Sequence, residues 1–243
     1  MIQIHPNMDS LSRAAAALFV QRAQQSVEAR GRFTVALSGG QTPRRAYELL
    51  AQSPLREQIP WRAVHVFWGD ERFTPPGDPQ SCEHMARLLL LDHVPIPRSQ
   101  IHPIRSEQSA EQAARRYEEL LRAFFSEQPP RFDLIFLGMG ENGHIASLFP
   151  GTPALEERER WVVVVHLGGL NLDRITLTPP IINQAAAVAF LVSGASKAQA
   201  IGDVLHGPPD PRRLPAQLIR PLDGELSWLV DREAASLLPL GRH

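Results

Sequence analysis

Only one cysteine, Cys82, occurs in the 243 residues, so no disulfide can form within the chain and a reducing compartment fits. Lysine is equally scarce. Lys197 stands alone, and arginine carries every other basic charge apart from histidine. Net charge is nearly absent too, at -1, which gives no global pull toward nucleic acid or an anionic membrane. Any anion must therefore be held by a local arrangement of groups. No segment approaches the roughly 20 apolar residues of a membrane helix. The start, Met1-Ile2-Gln3-Ile4-His5-Pro6, has no basic stretch leading into an apolar run, so a secretory leader is not expected. No pair of histidines has zinc-ligand spacing, and a lone cysteine cannot build a thiolate site. There is no Gly-x-Ser-x-Gly elbow, no Walker loop and no dinucleotide fingerprint. Trp61, Trp68, Trp161 and Trp228 are scattered and read as core or edge residues. These absences lead to the expectation of a cytoplasmic protein with no metal site.

What is present is a hydrophobic content of 43%, enough for a sizeable core. Asp9 or Ser10 is placed to cap a helix to about Arg30, ended by Gly31. Phe33 to Leu37 reads as a buried strand, and Thr42-Pro43 as the cap and first residue of the next helix. Val64 to Trp68 reads as a second strand, followed by a polar loop from Gly69 to Gln80 and a helix from Ser81 or Cys82. Gln108 to Phe125 reads as a helix with one apolar side, and Phe132 to Leu137 as a third buried strand. Trp161 to Val165, Arg174 to Thr178 and Ala187 to Val192 are further strands. Ser193 is expected to cap a helix through Leu205. Leu226 to Val230 is a last strand, and Asp231 caps a closing helix. This alternation predicts an α/β fold, a doubly wound, mostly parallel sheet with helices on both faces, Rossmann-like, in one domain over 1–243. Ligands in such folds sit beyond the carboxyl ends of the strands.

Polar, glycine-containing segments follow several of these strands. In Ser38-Gly39-Gly40-Gln41-Thr42-Pro43 the glycines let the backbone approach a ligand, and a helix start beyond them suits an anion. The alternative is a tight turn with no ligand. Asp70-Glu71-Arg72 combines carboxylates with a guanidinium fit for phosphate, or is a solvated charge cluster. In Gly138-Met139-Gly140-Glu141-Asn142-Gly143-His144, a histidine in a glycine-rich loop is suited to general acid–base work, or it bonds the local backbone. Lys197, after Ser193-Gly194-Ala195, is placed to reach an anion at the same rim. Cys82 reads as a packed thiol.

Together these segments resemble the 6-phosphogluconolactonase family, within the group that includes glucosamine-6-phosphate isomerase/deaminases. Ser38 to Pro43 is similar to its phosphate-loop motif. Asp70-Glu71-Arg72 with Pro75 and Ser81 resembles a second motif. Phe132-Asp133-Leu134 through Gly143-His144-Ile145-Ala146-Ser147-Leu148-Phe149-Pro150-Gly151 resembles the third. Arg174-Ile175-Thr176-Leu177 with Asn183, and then Gly194 to Lys197, resemble the last two. Arg72 favours the lactonase branch, since the deaminases typically have Tyr there. The chain departs from the family pattern at Asn142, Cys82 and Gln41, where Asp, Asn and Ser are usual.

The resemblance implies hydrolysis of 6-phosphoglucono-1,5-lactone in the oxidative branch of the pentose phosphate pathway, with no metal or organic cofactor. It implies a small sugar phosphate as partner; neither nucleic acid nor membrane is expected from the charge and composition, and a monomer is expected. His144 is the expected base that activates water. Asn142 cannot be its charged partner; Asp70 or Glu141 is expected to compensate, with Asp70 holding or polarising the ring. Ser38, Gly39, Gly40, Gln41, Thr42, Arg72 and Lys197 are expected to hold the phosphate and sugar hydroxyls, with Arg174 also reaching the phosphate. Loop N–H groups around Gly140, Asn142 and Gly143 are expected at the developing oxyanion. The rival readings are a glucosamine-6-phosphate deaminase/isomerase and a sugar-phosphate sensor without turnover.

Overall fold

A computed structural model describes residues 1–106, 108–126, 130–168 and 172–239. Its strands are β1 (Ile2–His5), β2 (Phe33–Leu37), β3 (Val64–Trp68), β4 (Asp70–Arg72), β5 (Leu134–Leu137), β6 (Val162–Val165), β7 (Arg174–Leu177), β8 (Ala187–Val192) and β9 (Glu225–Asp231). Its α-helices are α1 (Met8–Arg30), α2 (Arg44–Leu50), α3 (Leu55–Gln58), α4 (Cys82–Leu89), α5 (Ala110–Phe125), α6 (Pro179–Ile182) and α7 (Ala198–His206).

Six strands form one wholly parallel sheet in the order β1-β9-β8-β5-β2-β3. β2, β5 and β8 are buried along their whole length and, Thr34 apart, apolar, as suits strands covered on both faces. β1 forms one edge and was not anticipated as a strand; Ile2 and Ile4 remain well exposed there. The core is cemented by aromatic contacts, among them Phe19 edge-on to Phe33 at 5.2 Å and Phe190 stacked on Trp228 at 3.8 Å.

The long α1 buries Leu11, Ala15, Phe19 and Ala23, a row at four-residue spacing flanked by Ser12, Ala16 and Val20. Its cap is Asn7, whose side chain accepts from the Ser10 N–H at 2.9 Å, rather than Asp9 or Ser10. Asp9 lies inside the first turn and pairs with Arg13 and Arg45. Gly31 ends the helix in the left-handed conformation, as expected. Three other expected caps differ as well. Pro43 holds the cap position of α2, with Thr42 in the turn before it. Ser193 does not cap α7; its hydroxyl donates to Asp231, and a short 3-10 turn at Ala195–Lys197 precedes the helix. Asp231 caps a run of turns, accepting from the Ala234 N–H at 2.8 Å, not a closing helix.

The sequence pattern also missed a second sheet. The stretch expected to be a loop after Trp68 contains β4, which joins β7 and β6 in a three-stranded antiparallel sheet. Glu71 explains its position. This buried carboxylate accepts from the N–H groups of Arg72, Cys82 and Glu83 and from the Ser81 hydroxyl, at 2.7–2.9 Å. It thereby caps α4 from outside the helix and holds β4 against it.

Candidate active site

β8, β5, β2 and β3 are consecutive neighbours in the sheet, so the segments leaving their carboxyl ends meet. A cavity of about 360 Å³ opens there. Ser38, Gly39, Gly40, Gln41 and Thr42 line one wall, Asp70 and Arg72 another, and Gly140, His144 and Lys197 the rest. Cys82, Met139, Ala146 and Ser193 also line it. Asn142, Gly143 and Arg174 do not. Among the described residues no group of three or more His, Cys, Asp or Glu side chains is placed to hold a metal ion.

The first wall is a row of backbone donors. Within the loop after β2, the N–H groups of Gly39, Gly40, Gln41 and Thr42 have no acceptor among the described residues. Gly40 has φ +92°, which favours glycine. Gly39 is required for a different reason, because a Cβ there would lie 2.4 Å from the Cys82 sulfur. Cys82 is thus a filler behind the loop, and burial pushes its thiol far up in pKa, away from a nucleophile.

His144 is half-buried, and its ring stacks on Phe149 with centroids 4.3 Å apart. Gly140 also lies close, where a Cβ would come within 2.1 Å of the ring. The Asn142 side-chain oxygen lies 2.6 Å from His144 Nδ1 and 3.3 Å from the His144 backbone N–H. Burial lowers the imidazole pKa below its ordinary value; Asp70 pulls it back up, while Lys197 and Arg174 push it down. The Gly140 N–H donates to the His144 carbonyl at 2.9 Å, and the Gly143 N–H donates to the Gly140 carbonyl at 3.0 Å. The N–H groups of Gly140 and Gly143 are therefore spent on holding the loop, while the Asn142 side chain meets the histidine.

Asp70 is buried, and its bonded partner is Ser147, whose hydroxyl donates to it at 2.7 Å. Among the described hydrogen bonds it makes none to His144, so of the two expected roles, holding or polarising the ring, the second fits, through its field. Ala146, at φ +45°, lies between His144 and Ser147 and puts a left-handed step in the chain that separates the two. Glu141, the other expected acid, lies 3.5 Å from Lys197 instead. Arg72 donates to the Gln80 carbonyl at 2.6 Å. Arg174 faces Arg72 across the β4–β7 ladder, and burial together with Arg72 lowers its pKa. Two cations directly opposite each other repel unless an anion lies near.

Sequence reasoning singled out Ser147 only as part of a motif and Ser193 only as a cap. Ser147 had a usable signal, three residues beyond His144 in the same loop, but its partner is 77 residues away.

Residues 6–228 match the family of glucosamine-6-phosphate isomerases/6-phosphogluconolactonase. The chain is 44% identical to the 6-phosphogluconolactonase of Synechocystis sp. over 236 residues, covering 96% of this chain and 95% of that one. It is 39% identical to the 6-phosphogluconolactonase of Nostoc sp., covering 98% of both. The solved structure of 6-phosphogluconolactonase from Trypanosoma brucei superposes with a TM-score of 0.85 at 30% identity, covering 98% of each chain. With a match that runs through every strand leading to the cavity, this chain belongs to the glucosamine-6-phosphate isomerase/6-phosphogluconolactonase family.

Proposed function

We propose that the chain hydrolyses 6-phospho-D-glucono-1,5-lactone to 6-phospho-D-gluconate, with His144 as general base. That it is an enzyme, a carboxylic ester hydrolase, follows from its kinship. The observation that carries the mechanism is the pair of contacts from Asn142. A backbone N–H can only donate, so the side-chain atom it meets is the amide oxygen. The same oxygen meets Nδ1, which must then carry the proton. Nε2 is left with its lone pair, and the lowered pKa keeps the ring neutral near pH 7.

Nε2 takes a proton from a water as the oxygen attacks the lactone carbonyl carbon. The C–O bond to the ring oxygen then breaks, and the imidazolium returns its proton to that oxygen. Asp70 stabilises the imidazolium through its field. The four free N–H groups from Gly39 to Thr42 form a nest for the phosphate, and Arg72 and Lys197 supply the charge. Arg174, paired opposite Arg72 across the ladder, adds to this potential. The phosphate is remote from the reacting carbon, so its binding energy fixes the lactone for attack. The cavity volume falls in the range of small-ligand sites, roughly 300–1,000 Å³.

The test is acid release from freshly made 6-phosphogluconolactone, with spontaneous opening subtracted and the unphosphorylated lactone as control. Rapid turnover of the first and slow turnover of the second is expected. Equal turnover would remove the phosphate nest from the proposal, and ammonia release from glucosamine-6-phosphate would replace the reaction.

A further inference from the structure

The chain contains two tyrosines, Tyr47 and Tyr117, and both use the phenol in the same way. Tyr47, on α2, accepts a hydrogen bond from the Ser38 N–H at 3.0 Å and donates one to the Ser38 carbonyl at 2.9 Å. Tyr117, on α5, accepts from the Trp68 N–H at 2.9 Å and donates to the Trp68 carbonyl at 3.0 Å. Ser38 is the first residue beyond β2, and Trp68 is the last of β3. We propose that these phenols are positioning residues. Each closes the backbone where a strand opens into the cavity, Tyr47 setting the Ser38–Thr42 loop and Tyr117 setting the segment that carries Asp70 and Arg72.

The ladders explain why such a partner is needed. Pairing of β2 with β5 stops at Ala36 and Ile135, two residues short of Ser38. The strands part there to make room for the cavity, and the Ser38 amide is left on the side facing β5. On the other side the Leu37 carbonyl is still met by the Gly69 N–H at 2.9 Å. β3 is the edge of the sheet. Its outer side is met by the His102 N–H at the Val66 carbonyl, 2.8 Å, and two residues later Tyr117 is the hydrogen-bond partner of the Trp68 backbone among the described residues.

A buried amide cannot be left unpaired without cost. A hydroxyl that donates and accepts at once satisfies both of its groups. Both rings are almost fully buried, where phenylalanine would fill the same space, so the hydroxyl is the part that needs explaining. Burial raises the pKa of both phenols, which keeps the donating proton in place at any working pH.

The two assignments rest on the proposed roles of the loop and of Asp70, and they separate in kinetics. The measurements are kcat and KM on 6-phosphogluconolactone, competitive inhibition by inorganic phosphate, the pH profile and Tm, for Tyr47→Phe and Tyr117→Phe. For Tyr47→Phe, KM and the phosphate inhibition constant rise together by about tenfold while kcat changes by less than about twofold. For Tyr117→Phe, kcat falls by about tenfold and the acid limb of the pH profile moves, because Asp70 shifts relative to His144. Lower Tm in both variants with unchanged kcat, KM and inhibition constant would reduce the phenols to structural props and overturn the proposal. So would the same kinetic signature from both. Phosphate that fails to compete with lactone in the unaltered enzyme would instead overturn the phosphate nest itself. If either variant does not fold, 3-fluorotyrosine in the unaltered sequence gives two fluorine resonances. One is expected to move on adding phosphate while the other stays; two unmoved resonances would end the proposal.

Discussion

The amide oxygen of Asn142 lies 2.6 Å from Nδ1 of His144, where the family usually places a carboxylate. A neutral partner fixes the tautomer as well as a charged one does, but it offers no charge to the imidazolium. Asn142→Asp is therefore expected to raise the His144 pKa. The acid limb of kcat/KM, expected below the ordinary imidazole value for the unaltered enzyme because burial lowers the His144 pKa, should move to higher pH. Asn142→Leu removes the tautomer lock and should lower kcat. The pH–rate profiles of the three proteins check this, and an unmoved acid limb in Asn142→Asp would mean that His144 is not the titrating base.

His144→Ala should lower kcat by about 10²–10⁴-fold, the usual worth of a general base, with KM nearly kept. The comparison needs the uncatalysed rate at each substrate concentration. A variant with near-normal kcat would remove His144 from the chemistry.

Gly140→Ala probes the same ring without touching it chemically. The new methyl would lie 2.1 Å from the imidazole, so the ring must turn off its bond to Asn142. We expect kcat to fall by at least about tenfold, since a misplaced catalytic group costs rates of that order or more. Tm should fall little, because the loop is at the cavity rim. Full activity in this variant would show that the ring orientation seen here is not the working one.

Lys197→Ala should raise KM by about 10- to 100-fold, the worth of a hydrogen bond to a charged group, and leave kcat largely intact. Phosphate inhibition should weaken in parallel. Glu141→Gln frees the lysine from its 3.5 Å contact and should act in the opposite direction, tightening phosphate binding at low salt. Competition assays on both variants test the pair.

A stability prediction concerns His65 and His102, whose ring nitrogens approach to 3.1 Å beside Phe67 and Phe124. Burial, with His65 nearby, depresses the His102 pKa to about 4 from 6.5. Burial and the Arg32 charge lower that of His65. A depressed histidine pKa means that the unfolded chain binds more protons than the folded one as pH falls. The stability is whole above pH 6.5 and is lost between there and about 4. Tm measured across that window should drop, and His102→Phe should flatten the slope.

The α/β architecture was legible because buried strands and amphipathic helices announce themselves through short-range patterns. Ala187 to Val192 is a continuous apolar run and Phe33 to Leu37 is one but for Thr34, and both are strands over those very residues. β4 was not legible. Its three residues, Asp70, Glu71 and Arg72, are all charged, and they form a strand because Glu71 is satisfied by Ser81, Cys82 and Glu83 and because β7 pairs alongside. The caps at Ser193 and Asp231 misled for a similar reason. Each of these side chains found the other across 38 residues, and a local pattern cannot report that.

From residue identities alone came the strand and helix run, the glycine-bearing segments at strand ends, the lone lysine and the histidine, since each depends on neighbours close in the chain. Strand order, which is a long-range pairing, brought four of those segments to one cavity. Tertiary packing also decided which partner each group meets: Asp70 with Ser147, Ser38 with Tyr47, Trp68 with Tyr117. A hydrogen bond depends on direction and on fractions of an ångström, and those are set only when separate elements dock.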